Sequence, residues 1–250
     1  MFFGKQNKLD KDDAAGKIIV ALDVENEEEA YNLVRHLSPP LSYFKVGMRL
    51  YMSCGHRIIY GLKNMGVQVF LDLKFHDIPN TVASTAEVVT RMGVDMFNIH
   101  LSGGSAMIKT TVERVRETAG KSGVPAPKIV GVTVLSSFNE TMLRGDCGVE
   151  RHLEQHVLKL ALLGKENGLD GVVASPREAG NIRKNCGTDY LIVAAGVRPL
   201  WAPTHDQVRV LTPRQALEAG ASYLVIGRPI IEHESPRNAA EKILAEIARA

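Results

Sequence analysis

The chain is poor in cysteine and has no long apolar run. Its three cysteines, Cys54, Cys147 and Cys186, are an odd number at spacings that match neither a disulfide framework nor a CxxC metal pair, so reduced thiols are expected. No apolar stretch approaches the roughly 18 residues needed to span a bilayer. Residues 1–16 offer only Phe2 and Phe3 before a charged stretch, without the apolar centre of a signal peptide. A cytoplasmic location is expected. An excess of one charge is missing too: 30 basic residues against 28 acidic ones leave +2, which gives no bulk attraction to nucleic acid or to an anionic membrane. A local anion site remains compatible with that balance. His152 and His156 stand four apart, the spacing of a metal pair, but no glutamate follows the first as a HExxH site requires. They read as a solvated helix face, and no metal site is expected.

With 45% hydrophobic and 23% charged residues, the 250-residue chain has an ordinary globular composition and room for one large α/β barrel or two smaller domains. Short β-branched runs at 17–23, 42–47, 67–73, 96–101, 128–135, 171–174, 191–194 and 223–226 read as strands. Between them lie helical patterns, the first opened by Asn26 as N-cap with Glu27, Glu28 and Glu29 in its first turn. Eight strands alternating with mostly helical segments predict a (β/α)8 TIM barrel as a single domain over 17–250, preceded by a polar N-terminal extension over 1–16. An open doubly wound sheet is the second possibility. A dinucleotide-binding sheet would carry a glycine-rich turn after its first strand, and Asp23-Val24-Glu25-Asn26 has no glycine.

The polar residues fall at the strand ends. Phe70-Leu71-Asp72-Leu73-Lys74-Phe75-His76-Asp77-Ile78-Pro79-Asn80-Thr81 begins as a buried strand and leaves it carrying two carboxylates and an ammonium. Residues two apart on a strand share a face, so Asp72 and Lys74 are expected together, and Ile78 before Pro79 is biased away from helix. Asp23, Lys45, His100, Ser136, Ser175, Arg198 and Arg228 lie at or near the ends of the other strands. In a barrel all of these ends meet on the rim where active sites are built. Gly196-Val197-Arg198 and Gly227-Arg228 follow the seventh and eighth strands, the loops that commonly hold a phosphate, and Arg228 adds a permanently charged donor fork.

On these residues the chain resembles the orotidine 5′-phosphate decarboxylases, from about Ile18 onward. The resemblance rests on Ala21-Leu22-Asp23, Phe44-Lys45-Val46-Gly47, the segment from Asp72 to Thr81, Gly196-Val197-Arg198 and Val225-Ile226-Gly227-Arg228. The DxKxxD core is shared with metal-dependent sugar-phosphate relatives; Lys45, where those relatives are expected to carry an acidic metal ligand, makes the match specific. Two departures stand out: Ala194-Ala195 precedes Gly196 where the family often has Thr-Pro, and His205-Asp206-Gln207 replaces Asp-Asp-Gln or Gly-Asp-Gln. Neither removes a donor, and both bear on the shape of the phosphate loop.

The resemblance implies decarboxylation of orotidine 5′-phosphate to UMP without a cofactor or metal, by a homodimer with shared active sites. Lys45, Asp72 and Lys74 of one subunit and Asp77 of the other would form the catalytic charge array, with Lys74 protonating C6. Asp23 and Lys45 would hold the ribose hydroxyls and Ser136 the pyrimidine amide edge. Gln207, Arg228 and the Gly227 N–H would hold the phosphate with Arg198 close by, while Ile78 and Thr81 would reach the partner's site. Two rival readings stay open at this point: a metal-dependent sugar-phosphate decarboxylase or aldolase, and a non-catalytic UMP-binding barrel.

Overall fold

Every strand of the structure, a computed structural model that describes residues 10–203 and 209–248, runs parallel to its neighbours in chain order. The strands are β1 (Ile18–Ala21), β2 (Tyr43–Gly47), β3 (Gln68–Phe75), β4 (Met96–His100), β5 (Lys128–Val132), β6 (Gly171–Ala174), β7 (Leu191–Ala195) and β8 (Tyr223–Ile226). Pairing of β1 with β8 closes the barrel, in the register Ile18↔Leu224 and Val20↔Ile226. The (β/α)8 expectation therefore holds, and closure excludes an open sheet.

Side-chain alternation sorts the strand residues into two layers. One phase fills the barrel interior with Ile19, Tyr43, Phe70, Met96, Val130 and Val193, against which Val173, Tyr223 and Val225 pack. The opposite phase, including Val20, Phe44, Leu71, Phe97 and Ile129, faces the helices in a larger core shared with Val34, Ile59, Val82, Ala86 and Ile243. A recurring polar device starts alternate strands. Asp95 accepts the Val69 N–H at 2.8 Å, Asp170 the Ile129 N–H at 2.9 Å, and the Ser222 hydroxyl the Ile192 N–H at 3.1 Å. Each residue just before one strand thus satisfies an early donor of the strand before it.

The helices differ from expectation in detail. Asn26 caps Glu27–Leu37 as predicted, accepting the Glu29 N–H at 3.0 Å. Between β2 and β3 stand two helices, Met48–Cys54 and Arg57–Asn64, separated where Gly55 turns the chain at φ 65°. β5 stops short of residue 135, and Glu140–Gly145, capped by Asn139, adds a helix in the loop beyond it. Pro213–Glu218, opened by a capping box between Thr212 and Gln215, supplies the helix between β7 and β8. Within the segment read as a polar extension, Lys11–Ala15 is helical, capped by Asp10, with Ala14 and Ala15 buried and the turn packed on the closing helix Pro236–Ala248. No helix among the described residues is long and apolar enough to cross a membrane.

Candidate active site

The inward phase that plugs the barrel continues upward into the rim. On β2 Tyr43 leads to Lys45, on β3 Phe70 leads to Asp72, and on β4 Met96 leads to Asn98 and His100. Alternation thus aims three neighbouring strands' polar residues into one space. Lys45 Nζ lies 3.1 Å from Asp72 Oδ2 and 3.5 Å from Asp23 Oδ1, and Lys74 Nζ lies 2.7 Å from Asp72 Oδ1. The order Asp23, Lys45, Asp72, Lys74 alternates in sign.

Lys74 arrives by an unusual route. The β3–β4 register breaks between Leu71↔Phe97 and Phe75↔Ile99, so four steps along β3 oppose two along β4. Within this bulge Lys74 has φ 54°, the only positive φ of a non-glycine among the described residues. A side chain there costs about 1 kcal/mol or more, and such strain persists only where neighbours hold it. Asn98 supplies the hold: its carbonyl oxygen accepts the Lys74 backbone N–H at 2.8 Å, while its amide donates to Asp72 Oδ1 at 2.7 Å. The expectation that Asp72 and Lys74 meet is met, but a bulge pinned by Asn98 produces the meeting. Asn98 is fully buried. Its replacement by alanine strands the Lys74 N–H and loosens Asp72, and is expected to lower kcat about 10- to 100-fold and stability by about 1–3 kcal/mol. Steady-state kinetics and urea unfolding check this.

The charges are locked. Burial would raise the Asp72 carboxyl, but Lys45 and Lys74, with hydrogen bonds from Lys74 and Asn98, outweigh it and hold the carboxyl at about 2. Burial opposes the Lys45 ammonium, yet Asp72 and Asp23 overcome that and raise its pKa. His100, whose ring lies 5.3 Å from that of His76, is pushed down by burial and by the neighbouring His76 and Lys74. At neutral pH Lys45 is therefore an ammonium and Asp72 a carboxylate, with His100 neutral beside them. Because the folded Asp72 titrates below its ordinary 3.8, its contribution of about 2 kcal/mol is present above that value and lost as pH falls toward 2. The stability gap between wild type and Asp72→Asn, read by urea unfolding, is expected to narrow between about pH 5 and pH 2.

The rest of the predicted set divides. Gly227 and Arg228 stand where β8 ends, and a Cβ on Gly227 would come within 3.3 Å of Asp23 Oδ2, so the bare backbone brings the phosphate-binding candidates beside the carboxylate just beyond β1. Arg228 lines a cavity with Trp201, Pro203, Glu232 and His233. Arg198 is buried, its N–H donating to Leu211 O at 3.0 Å where Val197 pairs with Leu211 as a short parallel bridge. Ser136 is half-buried beyond the end of β5, and Ser175 caps the turn after β6, accepting the Arg177 N–H at 3.3 Å. Asp77, Ile78 and Thr81 are exposed and outside the ion-paired cluster; Asp77 accepts the Ile78 N–H at 2.6 Å, and Ile78 is extended before Pro79 as expected. Gln207 lies outside the described residues. The cysteines are free thiols, and among the described residues no group of three metal-ligating side chains is assembled, His152 and His156 included.

Fold and site together define a (β/α)8 barrel that carries an ion-paired cluster of its own side chains at the C-terminal rim, the place where enzymes of this fold build their active sites. The chain belongs to the orotidine 5′-phosphate decarboxylase / HUMPS family, whose family model matches residues 16–243. It is 50% identical over 234 residues to the orotidine 5′-phosphate decarboxylase of Moorella thermoacetica, covering 94% of this chain and 93% of that protein. Its identity to the enzyme of Syntrophotalea carbinolica is 49% over 238 residues, 95% of this chain and 97% of that one. The crystal structure of orotidine 5′-phosphate decarboxylase from Lactobacillus acidophilus is similar with a TM-score of 0.81 at 37% identity, covering 92% of this chain and 98% of that chain.

Proposed function

We propose that the chain converts orotidine 5′-phosphate to UMP and carbon dioxide in pyrimidine biosynthesis, and that the alternating array is its catalytic centre. The observation that carries the reading is Asp72 held between two ammoniums at 3.1 and 2.7 Å on the rim of a barrel of this family. When the bond from C6 to its carboxylate breaks, the electron pair stays on C6, in an orbital the ring cannot delocalise. An ammonium beside C6 stabilises that charge and then supplies the proton that replaces the carboxylate, leaving a neutral lysine that regains its proton from water. Lys74, at the outer end of the array and partly open to the barrel mouth, is that ammonium. Asp72 stays ionised, so it positions both lysines and repels a substrate carboxylate brought against it, a repulsion relieved as carbon dioxide leaves.

Lys45 also favours the metal-free chemistry of the family. Its ammonium sits 3.1 Å from Asp72, where it already supplies a positive charge to that carboxylate. A binding module for an anionic nucleotide has no use for carboxylates that repel its ligand, which disfavours the UMP sensor. At the other end Gly227 and Arg228, with Arg198 near them, take the 5′-phosphate. Asp23 with Lys45 takes the ribose hydroxyls, and Ser136 the pyrimidine edge.

The working unit we propose is a homodimer in which Asp77, Ile78 and Thr81 complete the partner's site. Their exposure supports this: Ile78 is 67% exposed, and Met48 and Met52, on the helix after the adjacent strand, are 55% and 81% exposed. These apolar side chains stand beside the mouth of the site, where burial against a second copy would cover them. A cytoplasmic location suits a nucleotide-phosphate enzyme without a membrane-crossing helix among its described residues. Loss of orotidine 5′-phosphate absorbance, followed with and without exhaustive chelation, tests the activity: equal rates are expected, and turnover that disappears with the metal would favour the sugar-phosphate chemistry.

A further inference from the structure

Three successive rim loops, those after β5, β6 and β7, meet at one side chain. Arg209, 8% exposed, places one guanidinium nitrogen on the carboxylate of Glu178, in the turn Pro176–Glu178 after β6. Its other terminal nitrogen donates to the Leu135 carbonyl at 2.9 Å, one residue before Ser136. Its backbone carbonyl accepts the Ser175 hydroxyl at 2.9 Å. Arg209 itself belongs to the β7–β8 connection, which also carries Arg198 and leads into β8, just before Arg228.

This ion pair is a poor investment in stability alone. Glu178 is only 5% exposed, and among the described residues its Oε2 and the Arg209 Nε have no hydrogen-bond partner. Burial pushes the Glu178 carboxyl up against the pull of Arg209. Burying two ions costs several kcal/mol each, recovered only when all their donors and acceptors are satisfied, and an apolar pair of the same volume is commonly as stable. The barrel's strand ladders close without it, since the pair joins loops. What the fork-shaped guanidinium does, and an apolar pair would not, is fix the relative placement of three loops through directed bonds.

We propose that Arg209 is a positioning residue that couples the phosphate-binding side of the rim, after β7 and β8, to the loop after β5 that faces the base. The inference rests on the proposed decarboxylase reading and adds to it a route by which the phosphate grip aligns the pyrimidine. Arg209→Lys keeps the charge but loses the fork, and Arg209→Met loses both; Glu178→Gln keeps the shape of the partner should the methionine variant not fold, as judged by circular dichroism. For each, kcat/KM is measured on orotidine 5′-phosphate and on orotidine, the nucleoside without phosphate, by release of labelled carbon dioxide. Expected is a loss of about 10- to 100-fold on the nucleotide with less than about 3-fold on the nucleoside, so that the advantage conferred by the phosphate shrinks. A general loosening of the fold would lower both substrates alike, and that result, or an undiminished phosphate advantage, overturns the coupling. If wild type turns over neither substrate, the decarboxylase reading fails first and the coupling with it.

Discussion

Lys74→Ala is expected to leave a folded protein with no measurable decarboxylation. The side chain contributes little to the core, since Lys74 is partly exposed and only its ammonium is bonded, at 2.7 Å to Asp72. Alanine has the same Cβ and adds no new strain at φ 54°, and Asp72 keeps Lys45 and Asn98 as partners. What disappears is chemical. Loss of a positioned proton donor costs roughly 100- to 10,000-fold, and loss of charge stabilisation at the carbanion a further 100- to 1,000-fold. Activity within about tenfold of wild type would remove Lys74 from the proton-donor role. The same variant tests the shared site. Mixed with Asp77→Ala, each mixed dimer should regain about one intact site, because in the proposed dimer one subunit would supply Lys74 to the site that the other completes with Asp77. No recovery after verified subunit exchange would confine each site to one chain.

Arg228→Ala is expected to lower kcat/KM by about 100-fold or more, with kcat falling as well as KM rising. The phosphate never reacts, so a grip felt equally by substrate and transition state would change KM alone. Here the grip is built into the seam of the barrel: Gly227 approaches Asp23 so closely that a Cβ would lie 3.3 Å from its carboxylate. In the proposed site, phosphate held by Gly227 and Arg228 would set the position of a ribose held by Asp23 and Lys45, and through it the approach of C6 to Lys74. A saturating rate equal to wild type would show that the phosphate only adds affinity. Inorganic phosphate as a competitive inhibitor, weaker against Arg228→Ala than against wild type, provides a second measurement of the same contact.

Much of this was readable before any coordinates. The strand runs and their spacing fix the barrel, and Asp23, Lys45, Asp72 and Lys74 stood out because charges at the exits of buried strands have no packing reason to be there. Asn98 did not stand out, since it lies inside the apolar run of β4. Its signal was phase, for Asn98 alternates with Met96 and His100 and so shares the inward side. The bulge left no such signal. A lysine at positive φ contradicts residue preference, and only the break in β3–β4 pairing reveals it. Arg209 and Glu178 were illegible for a different reason: they stand far apart in the chain on irregular loops, where no periodicity reports a neighbour. The exposed Asp77 and Ile78 carry the opposite lesson, because a single chain offers no partner to the very residues whose types fit a contact.

The seam between β1 and β8 also governs when this protein can exist during synthesis. Ile18 and Leu224 pair although roughly 200 residues separate them, a long-range contact that forms late and slowly. A nascent chain that has not yet reached Tyr223 holds seven strands whose outer two, β1 and β7, present unpaired backbone edges, the template on which misassembly starts. Asp23 would be translated early and wait for Gly227. The proposed centre would thus be completed only where the opening and closing strands of the barrel meet, and a ribosome would have to deliver nearly all of that span before a single catalytic turnover.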